Sequence, residues 1–269
     1  VLTAGGGAAL RIGGALGTTN ALTSVTALNG RIYVGQGVTG GSGAGGLSVL
    51  DFPSDTASYH ITFGRARFPA GLAERNSATL PNWQLYSGAG LLDRNVMGIA
   101  ARALPGAPLD PISGLPIPTV AIATPSGLSV IHPTGLIASI TRTGGYAAVA
   151  LADTGRLHAA ATSPSTVYEV GPIPYAATAA NIAWRSAIHD ALVITTALPR
   201  LGGTAALLAD GTGGGSAGLT LWAEDAAAPA NSMTAHVSAE YITGWMPGDT
   251  RLAALGRGRT GAITDTGNL

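Results

Sequence analysis

Two Asp-Thr-Gly triplets, Asp153-Thr154-Gly155 and Asp265-Thr266-Gly267, invite the chemistry of two carboxylates that share one proton. That chemistry needs each aspartate to be held by an apolar strand. The first triplet follows Ala147–Leu151, whereas the second has no such strand beside it. A turn aspartate ordinarily accepts hydrogen bonds from its own backbone, and this is the role expected of Asp153. Most other acids also fall in turns, and no spacing selects a pair for glycosidic-bond hydrolysis. The histidines, His60, His132, His158, His189 and His236, include no two that lie three or four residues apart. No helix-borne metal pair is encoded, and structural roles are expected of them. Ser42, Ser87, Ser113 and Ser126, each beside a glycine, lack the strand, tight turn and helix that activate a serine. The loop Gly211–Gly218 has no lysine to help cradle a phosphate. With no cysteine in the chain, thiolate chemistry and disulfides drop out. The expectation is no catalytic residue, no metal and no cofactor.

Recognition is better served. Trp83, Tyr86, Trp184, Trp222, Tyr241 and Trp245 stand beside turns, where flat amphipathic rings suit contact with a carbohydrate or a protein. The competing use of each ring is to fill a gap between sheets. Arg65, Arg67, Arg75, Arg94 and Arg102 concentrate in a region with few acids. They suit a polyanion, although pairing between neighbouring structural units is the favoured use.

The elements that must position these groups are short. Glycine, at 40 residues, punctuates the chain without a collagen period, and with proline it breaks long helices. Only Pro69–Ala78 and Ala176–Ala183 tolerate a helical reading. Strands are expected at Val25–Ala27 and Arg31–Val34, flanking an Asn29-Gly30 hairpin turn, and at Leu47–Leu50. Further strands are expected at Thr119–Ala123, Leu128–Ile131, Leu136–Ile140, Ala147–Leu151 and Arg156–Ala160. The last set comprises Ala191–Thr195, Ala205–Leu208, Leu219–Trp222, Thr234–Val237 and Arg251–Leu255. The segment Gly46-Leu47-Ser48-Val49-Leu50-Asp51 recurs as Gly127–His132 and, more loosely, as Gly218–Ala223, at offsets of 81 and 91 residues. Those offsets are close to twice the about 40–45 residues of a propeller blade. The fold expected is all-β, a β-propeller of about six or seven blades, with a sandwich or barrel as the alternative. Residues 1–19 are expected to be an arm or ring-closing strand, 20–256 the propeller-like domain, and 257–269 a tail or linker to a further module.

Composition bounds the partners. The 269 residues are 46% hydrophobic, enough for a substantial core, and only 10% charged, against about 25% in an ordinary domain. Fourteen basic and 14 acidic residues cancel, so neither nucleic acid nor an anionic membrane is an expected partner. No stretch approaches the roughly 18 apolar residues of a spanning helix, and Val1–Leu16 lacks the basic start of a signal peptide. So little charge gives weak repulsion between copies, which favours burial of the surface in an assembly.

One resemblance sits on specific segments. Asn29–Gly35 with Gly46–Phe52, Gly127–Pro133 with Asp153–Leu157, and Thr243–Asp249 followed by Arg251–Leu255 resemble structural proteins of tailed bacteriophages. In those proteins propeller-like domains precede lectin-like or laminin-G-like modules on tail or head fibres. The resemblance implies a non-enzymatic virion protein, either a fibre scaffold or a host-attachment module, and carries over no catalytic residue. Its implied partners are other virion proteins, further copies of itself, and a host-surface glycan or protein. Two other readings compete: a carbohydrate- or protein-binding propeller outside a virion, and a polysaccharide-cleaving enzyme.

Overall fold

Short apolar runs cut by Gly, Pro and Asn can satisfy their backbone groups only by pairing with neighbours, and pairing with the next run in sequence is the shortest route. In the computed structural model this produces antiparallel sheets in simple sequential order. The structure describes residues 21–38, 45–68, 71–72, 84–153, 155–161 and 168–175, together with strands at 185–186, 200–201, 207–210, 218–223, 233–238, 250–254 and 264–268.

The first sheet runs β1 (Ala21–Leu28), β2 (Arg31–Gly37), β3 (Gly46–Asp51), β4 (Thr56–Ile61), β5 (Gly64–Arg67) and β6 (Gln84–Ser87). The second contains β7 (Gly98–Arg102), β8 (Thr119–Thr124), β9 (Gly127–Ile131) and β10 (Ile137–Thr141). The third contains β11 (Tyr146–Leu151), β12 (Arg156–Ala161), β13 (Tyr168–Pro172) and β14 (Arg185–Ser186). The fourth contains β15 (Arg200–Leu201), β16 (Leu207–Asp210), β17 (Gly218–Ala223), β18 (Met233–Ser238), β19 (Thr250–Ala254) and β20 (Thr264–Asn268). The chain is all-β, as expected, and among the described residues no sheet closes into a barrel or propeller. Nor is any described helix long and apolar enough to cross a membrane.

The Asn29-Gly30 turn forms as its chemistry predicts, with φ of 51° and 75°, the paired positive values of a type I′ hairpin. β4, β5, β6 and β7 are among the strands with no counterpart in those expected from sequence. Gly-Arg-Ala-Arg carries little β preference of its own, whereas the Thr, Tyr and Ile of Thr-Ala-Ser-Tyr-His-Ile are a strand signal that the expectation leaves out. Pairing partners hold these strands extended. Of the expected helix at Pro69–Ala78 only Gly71 and Leu72 are described, and Ala176–Ala183 and Ala191–Thr195 lie outside the described residues.

The sheets stack face to face. β8 is buried at every position, because the second sheet lies between the first and the third. Val120 and Ile122 turn towards Tyr33, Leu47, Leu91 and Val96 on the first-sheet side. Ala121 and Ala123 turn towards Tyr146, Leu151 and Leu157 of the third sheet. Small residues thus oppose large ones across that second interface, which lets the layers close to native packing density. Neighbouring first strands touch: β7 packs against both β1 and β11, and β11 meets β15.

The recurrent segment has a structural meaning. Its three copies form β3, β9 and β17, each the third strand of its sheet. The leading glycine is required at two of them. A Cβ on Gly46 would collide with the His60 carbonyl of β4, and one on Gly127 with the Ile140 carbonyl of β10. Gly127 also has φ +139°, a conformation that L side chains rarely adopt.

Candidate functional site

In a sequential antiparallel sheet, the turns after odd and even strands emerge at opposite ends. Three side-chain ties show that the ends of β1, β7 and β11 coincide. Arg31, which opens β2, pairs with Asp110 in the β7–β8 connection. Asn29 Nδ2 donates to the Pro116 carbonyl of the same connection at 2.7 Å. Arg102, closing β7, pairs with Asp153 beyond β11 and donates to the Leu151 carbonyl. The turns at 29–30, 52–55, 132–136 and 152–155 therefore share one end with residues 103–118.

Residues 103–118 form a braced prong. Five prolines (105, 108, 111, 116 and 118) remove backbone freedom. Leu109 bridges Pro116, Ile117 N donates to the Pro108 carbonyl at 2.8 Å, and Asp110 N donates to the Leu115 carbonyl at 2.8 Å. Asp110 Oδ1 accepts from the amides of Ile112 and Ser113 at 2.9 and 3.0 Å. Its other oxygen takes the Arg31 guanidinium, whose Nε donates to Asp51 at 2.7 Å. Donation from the Ser113 and Ile112 amides, and then the Arg31 charge, holds the Asp110 carboxyl below its ordinary value. Burial opposes the charge on Arg31, but the Asp51 hydrogen bond and the neighbouring carboxylates outweigh it and raise its pKa.

What the prong presents is apolar. Leu109, Ile112 and Leu115 are 63%, 66% and 43% exposed. Phe52, Leu136 and Tyr175 are exposed at the same end, with Tyr175 resting on the His132 ring 4.7 Å away. Stiff backbone carrying exposed aliphatic and aromatic groups is suited to burial against another macromolecule.

The acids serve as ties, Asp51, Asp55 and Asp153 at this end and Asp93 at the opposite one. Asp51 holds Arg31 and the Ser54 amide, Asp55 accepts from Leu72 N at 2.8 Å, and Asp93 accepts from Asn95 N and Ser126 Oγ. Asp153 meets Arg102, so a cation stands beside it in place of a second carboxylate. The backbone of Asp265 pairs with Ala253 on β19. His60, His132 and His158 are buried, and His132 Nε2 lies 2.7 Å from the Pro174 carbonyl. Among the described residues no three histidine or acidic side chains gather to hold a metal.

Of the aromatic candidates, Tyr86 is on β6 and 47% exposed, with its hydroxyl donating to Gln84 Oε1 at 3.1 Å. Trp222 stands opposite Thr234 on β17 in the fourth sheet, its side chain outside the described set. Trp83, Trp184, Tyr241 and Trp245 lie outside the described residues. The aliphatic prong was not anticipated from sequence, where its signal is apolar residues interleaved with proline. No family model matches the chain, and no curated protein matches it.

Proposed function

We propose that this chain is a non-enzymatic structural module of a tailed-phage virion, a fibre scaffold or host-attachment component, whose prong end packs against further copies of itself. The braced prong with Leu109, Ile112 and Leu115 exposed supports the assembly part of the reading, and the resemblance of the strand-and-turn segments alone supports its phage part. A flexible loop would lose entropy on docking, whereas this one is already ordered by proline, Asp110 and Arg31. Formal neutrality removes the repulsion that keeps copies apart. Engagement of Asp51, Asp55, Asp93, Asp110 and Asp153 as ties favours scaffolding over hydrolysis.

The finer architecture we infer is a propeller in which the sheets are successive blades. Contact between first strands of neighbouring sheets, and recurrence of the Gly-Leu motif in the third strand of three of them, favour that arrangement.

Native mass spectrometry and electron-microscope imaging of the full chain test both parts. The wild type is expected as a defined oligomer, and Ile112→Asp with Leu115→Asp is expected to disperse it into folded monomers. A wild type that stays monomeric at high micromolar concentration, or an oligomer indifferent to the two aspartates, overturns the assembly reading. Class averages showing an open stack of sheets overturn the propeller.

A further inference from the structure

The outer part of the first sheet carries a second polar array, far from the prong end in chemistry. Register places His60, Arg65 and Tyr86 in one cross-strand row, and Ser58, Arg67 and Gln84 in the next. Cross-strand partners and residues two apart along a strand share a face, so all six belong to one surface. Arg65 and Arg67 are exposed, as are Gln84 and Tyr86, while Ser58 is half-buried and His60 is buried beneath them. Arg31 and Arg102 are held in ion pairs with Asp51, Asp110 and Asp153, and neither Arg65 nor Arg67 takes part in these. His60 Nδ1 is buried without a hydrogen-bond partner, and its Nε2 lies 3.5 Å from Ser58 Oγ. The Tyr86 hydroxyl occupies Gln84 Oε1, which leaves the amide NH2 of Gln84 as a donor.

Two arginines whose Cα atoms stand about 7 Å apart along one strand suit a ligand with one or two negative groups. A nucleic-acid backbone draws on roughly six to ten cationic contacts, which this face does not offer. An exposed tyrosine ring beside amide and hydroxyl donors suits a ring that is apolar on one face and hydroxylated at its rim. We propose that Arg65, Arg67, Gln84, Tyr86 and Ser58 bind an anionic sugar residue. The guanidiniums hold its carboxylate or sulfate, Tyr86 covers its apolar face, and Gln84 and Ser58 meet its hydroxyls. The proposal goes beyond the assembly reading and does not rest on it.

Isothermal titration of the full chain at low ionic strength tests it, with oligogalacturonate as the carboxylate probe, sulfated dextran oligosaccharide as the sulfate probe, and neutral dextran oligosaccharide as the reference. An acidic probe is expected to bind at least about tenfold more tightly than the neutral one, and the tighter of the two identifies the anion. Arg65→Gln with Arg67→Gln is expected to weaken that binding about tenfold or more, and Tyr86→Ala several-fold, while Arg142→Ala leaves it unchanged. Circular dichroism verifies the fold of each variant, and the single Arg65→Gln and Arg67→Gln variants serve where the double variant does not fold. Equal affinity for acidic and neutral probes overturns the proposal, as does binding that survives loss of both arginines. Tighter binding of a short oligonucleotide or an acidic peptide through the same arginines overturns the sugar assignment.

Discussion

At the residue scale the most consequential groups are two buried histidines. Burial first, and then the charge of Arg65, pushes His60 down to about 4 from 6.5. Burial first, and then Arg156, does the same to His158. Both rings are therefore neutral in the folded protein at neutral pH, and unfolding lets each return to an ordinary histidine and take up a proton. Between the two values the unfolded chain binds more protons, so their contribution to stability is complete above about pH 6.5 and is lost as pH falls towards 4. The expected slope is about 1.4 kcal/mol per pH unit for each histidine within that window. Urea melts between pH 7 and 4.5 measure it, and His60→Gln is expected to remove roughly half of the slope. A melt insensitive to pH in that range would contradict the burial assigned to these rings.

At the element scale the decisive unit is the third strand of the first and second sheets. Its leading glycine lets the fourth strand approach until a carbonyl occupies the place of a Cβ, at Gly46 against His60 and at Gly127 against Ile140. Gly127→Ala combines that collision with an unfavourable φ and is expected to cost about 3 kcal/mol or more. Gly135, with φ +85° but open space where its Cβ would stand, is the contrasting site, and Gly135→Ala should cost about 1–2 kcal/mol. Denaturant midpoints of the two variants decide between close approach and backbone angle as the larger effect. The repeat was legible in sequence as a string of letters. Its reason was not, because the carbonyl that makes glycine necessary belongs to a strand more than ten residues away.

At the scale of the whole molecule, one end collects Phe52, Leu109, Ile112, Leu115, Leu136 and Tyr175, six of the ten large hydrophobic residues exposed among the described part. An interface made by such groups draws on removal of apolar surface from water rather than on ion pairing. The oligomer proposed above is accordingly expected to keep its mass when sedimentation is measured from low to high salt, where an interface of charged groups would come apart. The anionic-sugar face should show the opposite behaviour, its affinity falling as salt screens Arg65 and Arg67.

The sequence by itself determined many of the elements, though not β4–β7: glycine, proline and Asn29-Gly30 set where strands stop, and apolar runs such as Thr119–Ala123 set which are buried. Those are local properties, readable from turn chemistry and side-chain type. It also placed Tyr86 among the recognition candidates, and Arg65 and Arg67 in a region with few acids. Only the tertiary structure decided which turns meet at one end, because that depends on strand order and on the stacking of separate sheets. Arg31 and Asp110 lie 79 residues apart, and nothing in either neighbourhood announces their pairing. The rows His60–Arg65–Tyr86 and Ser58–Arg67–Gln84 likewise exist only in one register, since a slip of one residue would send every one of those side chains to the opposite face.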